Sequence, residues 1–262
     1  MSSIRKEEIV RSTWIRLVEY HEVLDSTNRL AVELRDHLLP ESPALVITDL
    51  QTAGRGRGSN NWWSAEGALA LTVVLNANVH GPVPEHRPLV ALASGLAVRR
   101  ALQESVPGRQ LQTKWPNDVL VDGQKICGIL CEQHATSAGE LALIVGIGIN
   151  INNSLAAAPD DVRLRATSMF DLTGESFDLT KILVSLLREL EYGLAQLQQD
   201  VAATVSESAR NSYLTGRRVK VETPFGSLTG DCIGLGSDGA LLLSVDGIVQ
   251  EIRAGSVVAV ES

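Results

Sequence analysis

The chain has 262 residues and a formal net charge of −8, and 44% of its residues are hydrophobic and 21% charged. This is the composition of an ordinary folded protein, and it excludes wholesale disorder. Because the chain is acidic, it has no overall attraction to nucleic acid or to an anionic membrane, so a polyanionic ligand would have to be met by a local cluster of cations.

The sequence carries no signal for secretion or for a membrane anchor. Its apolar runs stay short of the roughly 18 residues that a transmembrane helix needs. Residues 1–11 alternate charged and apolar groups and lack the apolar core of a signal peptide. The three cysteines are too few and too scattered for a disulfide framework. We therefore expect a cytoplasmic protein that does not bind membranes.

The predicted elements of the first two thirds of the chain are strands mixed with helices. A strand at 17–24 precedes a helix that begins at Asp25 or Ser26 and ends before Pro40. Apolar positions along one stripe predict a long helix over 179–201. The other predicted elements are a loop at 51–67, a helix at 88–103 and strands at 44–49, 68–75, 110–115, 118–121, 124–134 and 140–151.

The C-terminal part of the chain changes character near Thr215. From there, glycines and Asp-Gly pairs separate short apolar runs at regular intervals. This spacing predicts a small β-barrel or β-sandwich of about 47 residues. We expect two domains, over 1–213 and 214–262.

A loop rich in glycine and arginine follows the second strand. Residues 54–58 read Gly-Arg-Gly-Arg-Gly, with no acidic residue among them. Glycine lets the backbone approach a ligand closely, and guanidinium groups bind carboxylate and phosphate oxygens. Trp62 or Trp63, just beyond, offers a flat face to a ring. The segment is consistent with a mobile anion-binding loop, an RGG-like nucleic-acid segment or a plain solvated turn.

Two lysine-containing segments flank a hairpin signal. Asp122-Gly123 predicts a two-residue turn between strands. Residues 114–118 read Lys-Trp-Pro-Asn-Asp before it, and Lys125 opens an apolar strand directly after it. The Lys125 ammonium would lie at the mouth of that strand, either as a functional cation or as a lysine that only protects the strand start. The Asn-Asp pair is, by itself, also a common turn.

A third segment, residues 146–150, ends a strand with Gly-Ile-Gly-Ile-Asn. Its glycines would let a ligand lie against the strand. The spacing is not a dinucleotide-binding fingerprint, and the chain has no P-loop motif. Cys127, Cys131 and His134 lack a fourth metal ligand, so buried thiols are favoured over a metal site.

These segments occur in one order along the chain. In sequence they are Asp25-Ser-Thr-Asn28, Gln51-Thr-Ala-Gly-Arg-Gly-Arg57, Trp62, Lys114-Trp-Pro-Asn-Asp118, Lys125-Ile-Cys-Gly-Ile-Leu130, Gly146-Ile-Gly-Ile-Asn150 and Ala166-Thr-Ser168. The combination is far more specific than any of its parts. From about residue 18 to the end, the chain resembles the biotin protein ligases.

The resemblance implies a fold and a reaction. The fold is an α+β catalytic domain, a mixed sheet flanked by helices of the class II aminoacyl-tRNA synthetase and biotin ligase type, with a small C-terminal Src-homology-3-like β-barrel. In the reaction, the carboxylate of biotin attacks the α-phosphate of ATP to give biotinyl-5′-adenylate, and a lysine of a biotin carboxyl carrier protein then takes the biotin. The expected small molecules are therefore biotin, ATP and Mg²⁺.

The resemblance also implies roles for individual residues. Lys125 and Arg57 are the expected catalytic residues, because preorganised cations offset the repulsion between two anions. Asp118 is the candidate to touch Mg²⁺ or to orient a basic group. The expected biotin-binding residues are Ser26, Thr27, Gln51, Gly54, Arg55, Arg57, Lys125, Gly128 and Gly146, and the expected ATP- or adenylate-binding residues are Arg57, Trp62, Asn117, Lys125 and Asn150.

The chain departs from the family pattern in two places. Many members continue the arginine loop with a further glycine and arginine where this chain has Gly58, Ser59 and Asn60. Few residues precede Asp25, fewer than the N-terminal helix-turn-helix domain of bifunctional members requires. We therefore expect a monofunctional ligase without specific DNA binding that is a monomer or a weak homodimer.

Two rival functions stay open. Lipoate or octanoate ligases share the catalytic fold and a similar lysine, although the arginine loop, residues 114–118 and the terminal barrel favour biotin. A non-enzymatic biotin-sensing or RNA-binding module could also use the arginine loop. That reading leaves Lys125 and the Asn-Asp pair unexplained.

Overall fold

The computed structural model describes residues 4–261. A seven-stranded sheet is followed along the chain by a five-stranded sheet. The strands of the large sheet are β1 (Leu17–Leu24), β2 (Ala44–Gln51), β3 (Leu69–Asn76), β4 (Leu111–Lys114), β5 (Asp118–Val121), β6 (Gln124–Ala135) and β7 (Leu141–Ile149). The helices are α1 (Lys6–Ser12), α2 (Thr27–Glu33), α3 (Arg35–Leu38), α4 (Val90–Gln103), α5 (Asp160–Arg163), α6 (Met169–Thr173), α7 (Leu179–Gln199) and α8 (Val201–Arg210), with short 3-10 helices at Pro84–Leu89 and Leu155–Ala157.

The large sheet has the strand order β1-β2-β3-β7-β6-β5-β4. Strands β1 and β2 run parallel, and each of the other neighbouring pairs runs antiparallel. The sheet is therefore mixed, and with its flanking helices it confirms the predicted α+β fold class. Among residues 4–261, no helix is long and apolar enough to cross a membrane.

The two faces of the large sheet carry different clusters. Helix α4 packs on one face and α7 packs on α4, and this side holds the larger apolar core. On the other face, α2 and α3 cover only a small cluster that includes Ala142 and Ile144 of β7. Because side chains alternate along a strand, Gly146 and Gly148 continue that second face beyond the cluster. This uncovered part of the second face forms the floor of a cleft.

The predicted hairpin turn joins β5 to β6. Asp122 and Gly123 both have positive φ, 49° and 84°. This is the combination that a type I′ turn requires, and Asp-Gly is a favoured pair for it. The turn sets Asp118 opposite Gly128 in the β5–β6 register, and it brings the two lysine-containing segments to one edge of the sheet.

Two long predicted helices are broken in the structure. The helix predicted to end before Pro40 is divided at Leu34 into α2 and α3. The helix predicted over 179–201 ends at Gln199, because Asp200 leaves the helical conformation with φ −147° and accepts a hydrogen bond from the backbone N–H of Ala203 at 2.9 Å. Asp200 thereby begins α8 as its N-cap. Hydrophobic periodicity continues across such a break and does not reveal it.

The C-terminal segment forms an antiparallel sheet, as its turn spacing predicts. Its strands are β8 (Arg218–Thr223), β9 (Gly226–Leu235), β10 (Leu241–Val245), β11 (Ile248–Ile252) and β12 (Ser256–Glu261), in the order β11-β10-β9-β8-β12. The turn before β10 rests on the first sheet's helices. Gly239 has φ 77°, a Cβ on it would collide with Leu89, and its carbonyl accepts a hydrogen bond from Trp115 Nε1 at 3.2 Å. The domain division at 213/214 stays a prediction.

Candidate functional site

A cleft of about 640 Å³ lies between the uncovered face of the large sheet and strand β12. The structure brings the predicted site residues together around it, with the exception of Gly54, which is not part of its wall. The predicted residues in the wall are Ser26, Thr27, Gln51, Arg55, Arg57, Trp62, Asn117, Asp118, Lys125, Gly128, Gly146 and Asn150. Their roles toward a ligand stay predictions.

One end of the cleft is neutral. Thr27, Asn28 and Gln51 line it and Thr72 contacts the first two of them, and we refer to these four residues as the polar floor. All four side chains are buried. Gln51 Oε1 accepts hydrogen bonds from the backbone N–H of Thr27 at 2.9 Å and from its hydroxyl at 3.2 Å. The Thr72 hydroxyl lies 2.9 Å from Thr27 Oγ1 and 2.7 Å from Asn28 Oδ1. Because buried polar groups paired in this way hold fixed positions, the floor is rigid before a ligand binds.

Ser26 stands next to the polar floor at the start of α2. It occupies the N-cap position, as predicted, but its side chain makes no capping hydrogen bond. Its backbone N–H instead donates to Asp25 Oδ1 at 2.5 Å. The buried Ser26 hydroxyl is therefore not committed to the helix, and it adds a polar group to the neutral end of the cleft.

The other end of the cleft is charged, and we refer to Arg57, Lys114, Lys125 and Asp118 as the cation cluster. Lys125 Nζ lies 2.6 Å from Asp118 Oδ1. Arg57 donates from Nη2 to the carbonyl of Gly255 at 2.6 Å, and Lys114 Nζ lies 3.4 Å from the carbonyl of Val257. Three cations thus surround one carboxylate, which leaves the cluster with a net positive charge.

Arg57 and Lys114 are the cations of this cluster that a ligand would find available. Within residues 4–261, neither has a carboxylate partner at ion-pair distance. Burial lowers the pKa of Lys114, an effect that Asp118 opposes and that Lys125 and Arg165 reinforce. Burial likewise lowers the pKa of Arg57. A half-buried cation that has only a carbonyl as partner is stabilised by a bound anion, so this end of the cleft favours phosphate or carboxylate.

The Trp62 ring lies against Gly128 of β6 and Gly148 of β7. A Cβ on Gly148 would come within 2.5 Å of the Trp62 ring, and a Cβ on Gly128 within 3.1 Å of Lys125 Nζ. The Lys125 ammonium is 5.8 Å from the centre of the Trp62 ring. Because Gly128 and Gly148 face each other in the register, their missing side chains make room for this tryptophan and this lysine.

Other predicted site residues make contacts within the protein and so help to shape the wall of the cleft. The space over Gly146 is filled by the Asn28 side chain. Asn117 donates from Nδ2 to the carbonyl of Ile129 at 2.5 Å. Asn150 donates from Nδ2 to the carbonyl of Thr167 at 3.1 Å and accepts from Asn153. These contacts fix the shape of the wall around the cation cluster.

The two arginines of the arginine loop, residues 54–61, have different partners. Arg57 belongs to the cation cluster, whereas Arg55 pairs with Glu132 of β6, Nη2 to Oε1 at 3.0 Å and Nη1 to Oε2 at 3.2 Å. The loop itself is a tight turn in which Gly56 donates to the carbonyl of Asn60 and Trp62 to that of Gly54. The predicted biotin contact of Arg55 is therefore occupied by a protein carboxylate in this structure.

Sequence reasoning assigned no site role to several residues of the cleft. Lys114 could have been identified, because it lies in the Lys-Trp-Pro-Asn-Asp segment and carries a charge. Thr72, Glu132 and the carbonyls of Gly255 and Val257 gave no signal, because only the sheet register and the position of β12 bring them against residues that line the cleft.

The described residues hold no ready-made metal cage. Within 4–261, no group of three histidine, cysteine, aspartate or glutamate side chains is placed to hold a metal ion. Cys127 and Cys131 are free thiols, and burial raises the pKa of both, that of Cys131 to about 12. Asp118, the candidate for Mg²⁺, already pairs with Lys125, which favours its alternative role of orienting a basic group.

Comparisons with known proteins agree with this geometry. Residues 20–152 match the model of the Biotin/lipoate A/B protein ligase family. The chain is 32% identical over 241 residues to the bifunctional ligase/repressor BirA of Bacillus subtilis, covering 91% of this chain and 72% of that protein. It is 34% identical over 220 residues to the biotin–[acetyl-CoA-carboxylase] ligase of Mycobacterium tuberculosis, covering 82% of this chain and 78% of that protein.

A solved structure is also similar over nearly its whole length. The biotin protein ligase from Aquifex aeolicus, in complex with biotin and ATP, superposes with a TM-score of 0.78 at 28% sequence identity, covering 92% of this chain and 97% of the other. The large mixed sheet, the second antiparallel sheet and the family match over residues 20–152 lead to one conclusion: the chain belongs to the Biotin/lipoate A/B protein ligase family.

Proposed function

We propose that this chain is a biotin protein ligase that works in two steps, the first of which consumes ATP. First, a carboxylate oxygen of biotin attacks the α-phosphorus of ATP, and the bond from that phosphorus to the bridging oxygen breaks, so that pyrophosphate leaves. Second, the amine of a carrier lysine attacks the biotin carbonyl carbon, AMP leaves and the amine loses a proton. The observation that carries the proposal is a net-positive cation cluster beside a neutral polar floor in one cleft.

The polar floor suits the uncharged end of biotin. Thr27 and Gln51 present fixed hydrogen-bonding groups, and among the described residues Gln51 Nε2 has no protein partner. A cyclic urea, which has both N–H donors and a carbonyl acceptor, needs such complementary groups in a buried place. With its ring there, the flexible tail of biotin extends toward Lys125 and Arg57.

The cation cluster suits the reacting carboxylate and the phosphates. Two anions repel each other as they approach, and fixed cations in a cleft that excludes water offset that repulsion. Asp118 orients Lys125 through the 2.6 Å contact, while Arg57 and Lys114, whose partners are backbone carbonyls, are available to the triphosphate and the departing pyrophosphate. Trp62 supplies a flat face for the adenine.

Mg²⁺ fits this site only in company with the nucleotide. The ion commonly binds one or two carboxylates together with substrate phosphates. Asp118 is the one carboxylate of the cation cluster, so it would hold a Mg²⁺ that arrives on ATP. The ion would neutralise phosphate charge there.

The acceptor is proposed to be a biotin carboxyl carrier protein. The Mycobacterium tuberculosis relative is named for acetyl-CoA carboxylase, and a carrier of that kind is the first acceptor to test. The mouth of the cleft includes exposed residues of β12 such as Val258, so an incoming lysine would pass close to the C-terminal sheet.

The direct test is pyrophosphate release in the presence of Mg-ATP and biotin, lipoate or octanoate, with and without a carrier domain. We expect release with biotin alone to stop after about one turnover and to become continuous when the carrier domain is added. Faster release with lipoate or octanoate than with biotin would support the rival ligase. Biotin binding without any pyrophosphate release would support a non-enzymatic module.

The remaining expectations concern assembly and location. With its net charge of −8, the chain should bind duplex DNA only weakly and with strong salt dependence. A discrete complex that resists competitor DNA in a gel shift would contradict this. Analytical ultracentrifugation with and without biotin tests the expectation of a monomer or weak homodimer, and fractionation of cells tests the cytoplasmic location.

A further inference from the structure

The carboxylate of Glu132 joins the arginine loop to the polar floor. Its two oxygens accept hydrogen bonds from both terminal nitrogens of Arg55, at 3.0 and 3.2 Å. Oε2 also accepts a hydrogen bond from Asn28 Nδ2 at 2.9 Å. Glu132 thus holds a loop residue and a floor residue on one carboxylate.

The connection continues through the floor. Asn28 Nδ2 also donates to the carbonyl of Leu130, and Asn28 Oδ1 lies 2.7 Å from the Thr72 hydroxyl. Thr72 lies next to Thr27, which is bonded to Gln51. An unbroken series of polar contacts therefore runs from Gln51, beneath the neutral end of the cleft, to Arg55 in the loop that closes over it.

The burial of the participants makes this geometry informative. The Glu132 side chain is 19% exposed and that of Arg55 is 40% exposed. A carboxylate held this deep is stabilised when its oxygens keep charged or amide donors. Arg55 is thus committed to Glu132, whereas Arg57 on the same loop has only a carbonyl partner.

We propose that Glu132 is a positioning residue for biotin activation. It holds Arg55 so that the arginine loop lies against the polar floor before biotin arrives, and Arg55 anchors the loop instead of binding the carboxylate of biotin. Arg57, two residues further along the anchored loop, is then the arginine presented to the ligand. This assignment rests on the proposed function for its ligand, but the anchoring itself does not.

The proposal predicts a change in the biotin KM without a matching change in kcat. If Glu132 is lost, the loop occupies its closed position for a smaller fraction of the time, and the apparent affinity falls by that fraction. Since the ion pair is only partly buried, we expect the biotin KM to rise about three- to tenfold. Saturating biotin and ATP still close the loop, so kcat should stay within about twofold.

The variant Glu132→Gln is the sharpest test, because glutamine keeps an acceptor for Asn28 and removes only the charge that holds Arg55. The variant Arg55→Gln removes the same ion pair by replacing its more exposed partner. The matched control is Glu207→Gln, which breaks an ion pair of the same length, 3.0 Å, to Arg100, with similar exposure of the carboxylate and away from the cleft. Thermal unfolding of all three checks that they are folded.

Two readouts separate the anchoring from the proposed function. Without substrates, limited trypsinolysis followed by mass spectrometry measures cleavage after Arg57, which should become about three- to tenfold faster in both cleft variants and not in the control. With substrates, pyrophosphate release gives the biotin KM and kcat. If the wild-type chain releases no pyrophosphate, the proposed function fails, while trypsinolysis still decides the anchoring.

The double variant decides whether Glu132 acts through Arg55. We expect Glu132→Gln to change neither readout further in the Arg55→Gln background. The proposal is overturned if Glu132→Gln leaves cleavage and KM as in wild type, or if the two effects multiply. It is also overturned if Glu132→Gln lowers the biotin KM while Arg55→Gln raises it, because that pattern means that Arg55 binds the biotin carboxylate.

Discussion

The two ends of the cleft are built in different ways. The polar floor comes from α2 and the neighbouring strands β2 and β3, and its groups are buried and bonded to one another. The cation cluster combines Arg57 of the arginine loop with three residues of β4 to β6, is partly exposed, and relies on carbonyls of residues 255 and 257, far along the chain. The floor is complete before a ligand binds, whereas the cluster has more positive than negative charge until an anion arrives.

Under the proposed function, this difference assigns ligand recognition to the polar floor and the chemical step to the cation cluster. Changes in the polar floor should weaken the binding of biotin, since fixed neutral groups act equally on the ground state and the transition state. Changes in the cation cluster should slow adenylate formation, since its charges act most where charge develops.

The largest effect is expected from Lys125→Ala. Removing this cation should slow adenylate formation by ~10²–10³, the usual consequence of losing one preorganised electrostatic group, while biotin affinity changes only a few-fold. Single-turnover measurement of biotinyl-adenylate and a biotin titration give the two quantities. The control is Lys220→Ala, an exposed lysine of β8. If Lys125→Ala formed adenylate at the wild-type rate, Lys125 would only protect the start of its strand.

Substitutions of two glycines of β7 should disrupt the two ends of the cleft separately. Gly146→Ala would push Asn28 off the polar floor, and Gly148→Ala would bring a Cβ within 2.5 Å of Trp62. Overpacking of this kind typically costs about 1–3 kcal/mol, so we expect a loss of roughly tenfold in each case. The loss should appear in biotin affinity for the first variant and in the ATP KM for the second. If both variants affected biotin and ATP equally, the two ends of the cleft would not bind different ligands.

A smaller effect is expected from pH. Burial lowers the pKa of Lys114, so its charge is lost at a lower pH than the charge of an ordinary lysine. We expect kcat/KM for ATP, which reports the free enzyme, to fall at a pH below the ordinary range of lysine. Arginine stays charged there, so Lys114→Arg should move the alkaline decline upward. A profile that Lys114→Arg leaves unchanged would assign the decline to another group.

The smallest effect is expected for the wild-type arginine loop. Its glycines and polar residues bury little, so a bound anion should add to its stability through charge-assisted hydrogen bonds to Arg57. Biotin should slow trypsin cleavage after Arg57, and biotin with Mg-ATP should slow it further. Cleavage that is equally fast with and without both substrates would show that the loop does not close over them.

Much of the polar floor and the position of Lys125 in the cleft were predictable from the sequence. The Asp122-Gly123 pair fixed the β5–β6 turn, and that turn places Asp118 and Lys125 side by side. Thr27 and Gln51 lay in recognisable segments at the ends of predicted elements. In each of these cases, local turn or cap chemistry decides where the side chain lies.

The rest depended on tertiary structure. Glu132 and Thr72 reach Asn28 because of strand register, and the pattern of a single strand contains no register between β3, β6 and β7. The pairing of Arg55 with Glu132 instead of a ligand required a contact across 77 residues. The division of the predicted helix over 179–201 at Asp200 could not be predicted either. In a polar stretch of sequence, an N-cap aspartate cannot be distinguished from an exposed aspartate within a helix.

The carbonyls that hold Arg57 and Lys114 have a consequence for synthesis of the chain on the ribosome. They belong to residues 255 and 257, which lie 198 and 143 positions after the cations that they contact. Because translation proceeds from the N-terminus and early regions fold first, the large sheet, its polar floor and Lys125 all emerge before these carbonyls exist. A nascent chain that stops short of β12 therefore carries a complete polar floor and a cation cluster that lacks its carbonyl partners.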